Sequence, residues 1–208
     1  MQQTRTDPPY IPMRARGWPT RRSPRWLFAA GAVLLIIAVA VGLAHHPTKG
    51  QRASDLRGLL QTLNQDVGSC AAGVQEALVL LRDIDTGASH NLTVALSEVN
   101  YGAANCSPAN NEELDDLTAV QVPESLASYH LANAVTALIN WAAPDAIRVQ
   151  TDVATALSDH GKPTQAAALA ALRSALRKLN AQRAVVYAEL RPAIKALAPH
   201  AAPPVLYG

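Results

Sequence analysis

The sequence is poor in aromatic residues and in cysteine, and each shortage limits what the chain can be. Aromatic residues make up 4% of the 208 residues, and the single phenylalanine is Phe28. A folded core therefore has to use leucine, valine, isoleucine and alanine, which suit closely packed helices better than a β-sheet. The two cysteines, Cys70 and Cys106, do not form a C-x-x-C motif, so a redox-catalytic role is not indicated.

The chain also lacks the compact motifs of common enzymes and metal proteins. It contains neither H-E-x-x-H nor G-x-S-x-G, and its six histidines are scattered. The densest acidic cluster, residues 112–116, lacks the glycine turn of a calcium loop, so we interpret it as a solvated helix start. We expect no catalytic residue, no metal and no cofactor, and we predict that the protein is not an enzyme.

One short motif resembles the active-site loop of aspartic proteases. Residues 85–89 read Asp-Thr-Gly-Ala-Ser. The protease site needs surrounding β-structure and a second aspartate with which to share a proton. Here a helical heptad pattern precedes the motif, another helical pattern follows it, and the sequence has no second copy. The motif is therefore interpreted as a turn between two helices.

A single uncharged run, Trp26–Ala44, is the strongest feature of the sequence. Its 19 residues are just long enough for a helix to cross a hydrocarbon core of about 30 Å. Six arginines and one aspartate precede it, and arginine excess marks the cytoplasmic side. We predict a basic, disordered cytoplasmic tail at 1–25, a transmembrane signal-anchor helix at 26–44, and an extracytoplasmic remainder.

A cleaved signal peptide is the alternative to this anchor. Ala38-Val39-Ala40 would supply small residues at the −3 and −1 positions of a cleavage site, and the protein would then be secreted. The apolar run is longer than the usual 7–15 residues of a signal core, and its basic lead is long as well. These lengths favour the uncleaved anchor.

The charge of the chain is divided between its two parts. Residues 45–208 carry 12 lysines and arginines against 15 aspartates and glutamates, a net charge of −3, whereas the whole chain carries +2. Nucleic-acid binding needs a basic surface, so the exported part is not expected to bind DNA or RNA. The expected partners are the lipid bilayer and a protein at the cell envelope. No oligomeric state is predicted.

Heptad-like spacing of apolar residues predicts an all-α fold, an up-and-down bundle of about four helices at 52–198. A linker at 45–51 leads into it, and a flexible tail at 199–208 follows it. The predicted helices span about 52–85, 90–106, 123–160 and 163–198. Pro144 should kink or split the third helix, and a short helical turn around Leu114 and Leu117 could form between the second and third.

The two cysteines are predicted to form a disulfide. An exported domain lies in a compartment that permits disulfides. If the first two helices form a hairpin that turns at Gly87-Ala88, residues whose numbers add up to about 176 face each other, and Cys70 and Cys106 meet this condition. Both cysteines also lie on the apolar seams of their helices.

The sequence leads to two function hypotheses. The first is a membrane-anchored extracytoplasmic bundle that acts as an interaction or scaffold module at the cell envelope. The alternative is a sensory or small-ligand-binding bundle that signals through a partner, with a pocket near the Pro144 kink lined by Tyr129, Trp141 and Arg148. Arg183 interrupts the apolar seam of the last helix, where it could pair with a buried acid, face a ligand, or be partly exposed.

Overall fold

The computed structural model describes residues 46–208, and this part of the chain is helical, with no β-strand. It contains six α-helices: α1 Lys49–Asp85, α2 Leu92–Asn105, α3 Glu112–Ala119, α4 Ala132–Asn140, α5 Ile147–Ser158 and α6 Gln165–Leu197. A 3-10 helix, Glu124–Tyr129, precedes α4, and a π-helical segment, Trp141–Ala146, joins α4 to α5. The prediction of an all-helical bundle is confirmed.

The predicted cytoplasmic tail (1–25) and transmembrane helix (26–44) lie outside the described residues. Among residues 46–208, no helix combines the length and the apolar character that a membrane crossing requires. The predicted linker, 45–51, gives way to helix earlier than expected. Helix α1 already begins at Lys49, because the Thr48 side chain accepts a hydrogen bond from the Gln51 N–H at 3.1 Å and so caps the helix.

Helix α1 buries the seam that its heptad spacing predicts. The buried seam residues are Leu56, Leu60, Leu63, Val67, Cys70, Val74, Ala77, Leu81 and Ile84. The helix ends at the predicted turn, where Gly87 adopts φ +73°, a left-handed conformation that glycine takes without strain. Residues 85–89 are therefore a turn between helices.

The long elements alternate in direction along the bundle. Ser125, just before α4, hydrogen-bonds Asp55 near the start of α1, and His160, just after α5, lies 3.2 Å from the Asp85 carboxylate at the end of α1. The stretch from α4 to α5 therefore runs in the same direction as α1. Helices α2 and α6, which follow tight turns at Gly87 and Gly161, run in the opposite direction.

The single helix predicted over 123–160 is divided in the structure. Residues 124–129 form a 3-10 helix that ends at His130, whose φ of 53° redirects the chain before α4. Pro144 lies in the π-helical segment that separates α4 from α5. In a regular α-helix its ring would clash with the carbonyl of residue 140, and the wider π-helical turn around Pro144 relieves that clash. The division adds one α-helix to the predicted number of about four, and α3, where only a short helical turn was expected, adds another.

Helices α1 and α2 approach most closely at two glycines. A Cβ atom built on Gly73 would lie 3.1 Å from the Cα of Gly102, closer than side-chain carbons pack. The buried line of α2 accordingly runs through Ala95, Val99 and Gly102, whereas the larger Leu92 and Leu96, which precede Val99 at heptad spacing, are only partly buried. Small residues define this contact because the two backbones nearly touch.

The C-terminal segment, residues 199–208, differs from the flexible tail expected from its sequence. It has no regular secondary structure, but it lies along α1 and α6 with Pro204 and Leu206 buried. The Arg183 side chain donates hydrogen bonds to the carbonyl oxygens of Leu206 and Gly208, at 3.4 and 3.3 Å. This contact explains why a charged residue interrupts the apolar seam of α6.

We expect the Gly102→Ala variant to be less stable than the wild type by about 2 kcal/mol, the cost typical of forcing an extra carbon into a packed contact. The new Cβ would lie 2.9 Å from Gln150 Oε1 and 3.2 Å from Gly73 Cα. Urea denaturation followed by circular dichroism measures the free energy of unfolding.

Gly68→Ala is the matched control, because Gly68 lies in α1 with nothing within 4 Å of its Cβ position. Alanine has the higher helix propensity, so this variant should gain up to about 1 kcal/mol. Equal effects of the two substitutions would contradict the close contact between α1 and α2.

Candidate functional site

The predicted disulfide is confirmed: Cys70 and Cys106 are bonded, with their Cα atoms 4.6 Å apart. Both cysteines are fully buried. The bridge lies one helical turn from the Gly73–Gly102 contact, so both features follow from the same antiparallel register. Closing a loop of 36 residues corresponds to about 4 kcal/mol in the chain-entropy model.

A buried glutamine covers the disulfide. Gln150 projects from α5, is fully buried, and donates from Nε2 to the Cys106 sulfur at 2.9 Å. Its Oε1 atom is buried without a hydrogen-bond partner, beside Gly102. Burying a carbonyl oxygen without a hydrogen-bond partner lowers the stability of the fold by about 1–3 kcal/mol. Gln150 is therefore a polar core residue with an energetic cost.

Gln150 is not among the site residues predicted from the sequence, although the spacing around it contains a signal. Position 150 is four residues after Ala146 and three before Val153, and both of these residues are buried. A polar residue with that spacing shares the core-facing side of the helix. The same rule identifies Asp152, which is buried and lies three residues after Val149.

The three residues of the predicted ligand pocket occupy different environments. Trp141, in the π-helical segment, is fully inside the core, and its Nε1 is buried without an acceptor. Tyr129 packs half-buried against the core from the 3-10 helix. Arg148 lines an open groove to which neither Tyr129 nor Trp141 contributes.

The groove at Arg148 has a volume of about 410 Å³ and lies between α5 and α6. Its lining residues are Arg148, Asp152, Ala171, Ser174, Ala175 and Lys178. Arg148 Nε donates to the Asp152 carboxylate at 3.1 Å. The Arg148 side chain is 64% exposed, so its other guanidinium N–H groups remain accessible from the groove. A guanidinium, an ammonium and a hydroxyl together offer hydrogen-bond donors to a small anion.

A carboxylate next to this groove has a shifted pKa. Burial raises the pKa of Asp145, and the positive charge of Lys178 partly opposes that rise. Lys178 lies on α6 and lines the groove, whereas Asp145 lies in the π-helical segment just before α5 and is not a lining residue. The groove combines both signs of charge.

A second charged cluster joins α1 to α3. Asp66 is 6% exposed, and its Oδ2 atom is buried without a hydrogen-bond partner. Burial raises the pKa of Asp66, and the negative charges of Asp116 and Glu113 on α3 raise it further. Helix α3 begins in the acidic cluster, as predicted, and is capped by Asn111, whose Oδ1 accepts from the Glu113 N–H at 3.1 Å.

Metal ligands do not converge in the described part of the chain, where no group of three or more histidine, cysteine, aspartate or glutamate side chains could hold an ion. Comparison of the sequence with protein-family models found no match. Comparisons with curated proteins and with solved structures likewise found no significant match. The site is therefore interpreted from its own residues.

We expect the Asp66→Asn variant to be more stable than the wild type at neutral pH, by about 1 kcal/mol, because it removes a buried charge that lacks a partner. The folded-state pKa of Asp66 lies above the unfolded value, so the folded wild type binds more protons between those two values. Its stability should fall as the pH rises through that window, and the variant should lose this component.

The measurement is the free energy of unfolding in urea as a function of pH. Glu76→Gln, on an exposed position of the same helix, removes an equal charge and serves as the control. A destabilised Asp66→Asn variant at neutral pH, or identical pH profiles for all three proteins, would contradict this account.

Proposed function

We propose that this chain is a single-pass, membrane-anchored protein whose helical bundle lies outside the cytoplasm and acts as an interaction or scaffold module at the cell envelope. The observation that carries the proposal is the Cys70–Cys106 disulfide. Structural disulfides persist in oxidising compartments, whereas cytosolic thiols are generally kept reduced. A bundle stabilised by such a bridge suits an extracytoplasmic location.

The sequence before the bundle supports the same location. The apolar run 26–44 has the length of a membrane-spanning helix, and six arginines precede it. An anchor with that charge bias would keep its first residues in the cytoplasm and export everything after the run. Residues 46–208, with their disulfide, would then be the exported domain.

An interaction role is supported by the outer face of α2. Val94 and Tyr101 lie two helical turns apart and are 48% and 69% exposed, while Ala95, Val99 and Gly102 on another side of the helix are buried. Tyrosine is enriched at protein interfaces because its ring supplies contact area and its hydroxyl a hydrogen bond. The disulfide and the glycine contact fix this helix on α1, so the face is presented rigidly.

Small-ligand binding is the alternative function, and the groove at Arg148 favours it. Arg148, Ser174 and Lys178 place three donor side chains around one groove, with Asp152 as an acceptor. A small ligand carrying a carboxylate or phosphate would match these donors. In this alternative, the bundle senses the ligand and passes the signal to a partner.

We expect the wild-type cysteines to be oxidised in cells and to become free in a variant that lacks residues 26–44, because that variant stays in the cytoplasm. Cells are quenched in acid, and the denatured protein is alkylated with a maleimide-linked polymer. The wild type should shift in gel mobility only after reduction, whereas the deletion variant should shift by two polymer units without reduction.

Cys106→Ala in the full chain calibrates the shift for one thiol. Free thiols in the wild type, or an oxidised deletion variant, would contradict the proposed location. Intact mass and location distinguish the anchor from the cleaved signal peptide. The anchored chain stays in the membrane fraction at full mass, whereas cleavage removes the N-terminal residues and releases a lighter protein.

We expect photo-crosslinking from the outer face of α2 to give discrete adducts in intact cells. A photoactivatable phenylalanine analogue replaces Val94, Tyr101 or, as the control, Ala181, which is exposed on α6. The same adduct should form at the first two positions and not at the third. Absence of adducts at Val94 and Tyr101, or identical adducts at all three positions, would contradict an interface on α2.

A further inference from the structure

We propose that the groove between α1 and α6 is a binding site for an extended peptide with two apolar side chains spaced two residues apart, and that the C-terminal segment (residues 199–208) occupies it as a built-in, displaceable ligand. This inference adds a second surface to the proposed interaction role and names its partner by chemistry. It depends on that role only in assuming that the bundle has protein partners.

Polar side chains of α6 form hydrogen bonds with the main chain of the segment. The Tyr187 hydroxyl donates to the Pro204 carbonyl at 3.1 Å and accepts from the Leu206 N–H at 3.3 Å. Arg183 donates to the carbonyls of Leu206 and Gly208. Carbonyls at every second residue are thus bound from one wall, which is the pattern of an extended peptide in a recognition groove.

The opposite wall contributes in the same way. Asn64 on α1 accepts a hydrogen bond from the Val205 N–H at 3.2 Å through Oδ1. Three polar side chains from two helices therefore bind backbone groups that any peptide carries. Such contacts give affinity without depending on sequence.

Specificity comes from the side chains that alternate along the segment. Pro204 and Leu206 are buried, whereas Val205 between them is 50% exposed. Extended chains direct successive side chains to opposite sides, so residues two apart enter the groove together. The preferred ligand is an extended peptide with the pattern proline, any residue, leucine.

A space next to the segment is left unfilled. It has a volume of about 340 Å³ and adjoins Tyr207 and Gly208 on the α1 side, where Gln75, Leu78, Val79 and Arg82 also line it. Beside Gly208, the Asn180 Oδ1 atom is buried and has no hydrogen-bond partner. A ligand that places a backbone N–H here would donate to this acceptor, a contact that residues 199–208 do not make.

Displacement is feasible because few side chains of the segment are buried. It has no helical hydrogen bonds of its own, and its burial depends mainly on Pro204 and Leu206. Segments with few buried apolar contacts open at a lower free energy than core helices. The segment competes at a high effective concentration because it is tethered, so a free ligand binds weakly until the segment is released.

The test uses the full chain in mild detergent and a fluorescein-labelled peptide with the sequence of residues 199–208, followed by fluorescence anisotropy. The Leu206→Asp chain should bind the peptide at least tenfold more tightly than the wild type, because its own segment loses its apolar anchor. The matched Val205→Asp chain should behave as the wild type. In the peptide, Leu206→Asp should abolish binding, and Val205→Asp should leave binding unchanged.

Adding Tyr187→Phe to the Leu206→Asp chain should weaken peptide binding, because the hydroxyl bonds are lost. The proposal is overturned if the peptide binds no chain, if it binds all chains equally, or if the Leu206→Asp peptide binds as well as the wild-type peptide. A wild-type dimer that Leu206→Asp converts to monomer also overturns it, because the ligand would then be a second copy.

A measurement on the wild type covers the case in which Leu206→Asp unfolds the bundle. The amides of Val205 and Leu206 should exchange hydrogen for deuterium through local opening, much faster than those of α1 and α6. Exchange only through global unfolding would overturn displacement. Both measurements use purified protein, so they fail or succeed independently of the location and of the α2 interface tested in cells.

Discussion

The contact between α1 and α2 at Gly73 and Gly102 determines how the rest of the bundle can assemble. Because no side chain separates the two backbones there, the cysteines one turn away come within bonding distance. The same closeness leaves room above the pair for a side chain from α5, and Gln150 fills it. The glycine contact, the disulfide and the buried glutamine therefore form one packing unit built from three helices.

The extent of the helices and the cysteine pairing followed from the sequence because both depend on local spacing. Heptad spacing located α1 and α6 to within a few residues, and the hairpin register paired Cys70 with Cys106. The packing side of α2 did not follow, because heptad spacing of apolar residues leads to Leu92 and Leu96, whereas the contact with α1 uses Ala95 and Gly102. Residues 199–208 were expected to form a flexible tail, but in the structure they are held against the bundle. Their hydrogen bonds come from Asn64, Arg183 and Tyr187, which are distant in sequence.

The candidate site was predictable only in part, for a related reason. Arg148 does line a groove, but the partners that define it, Ser174 and Lys178, lie on another helix. Trp141 was assigned to a pocket as an aromatic residue near a proline. In the structure it fills the core, in a protein that has few other aromatic rings to do so. Periodicity along one helix shows which of its residues share a face. It does not show which residues of another helix that face contacts.

Pro144 determines how far α5 is rotated about its axis relative to α4. Each residue of an α-helix advances about 100° around the axis, whereas a π-helical turn spreads more residues over one revolution. The segment Trp141–Ala146 thus rotates α5 relative to a straight continuation of α4. The rotation aligns Val149, Val153 and Ala156 with the core and points Gln150 at the disulfide. Proline usually interrupts a helix. Here the π-helical turn around Pro144 rotates α5 so that its apolar side faces the core of the bundle.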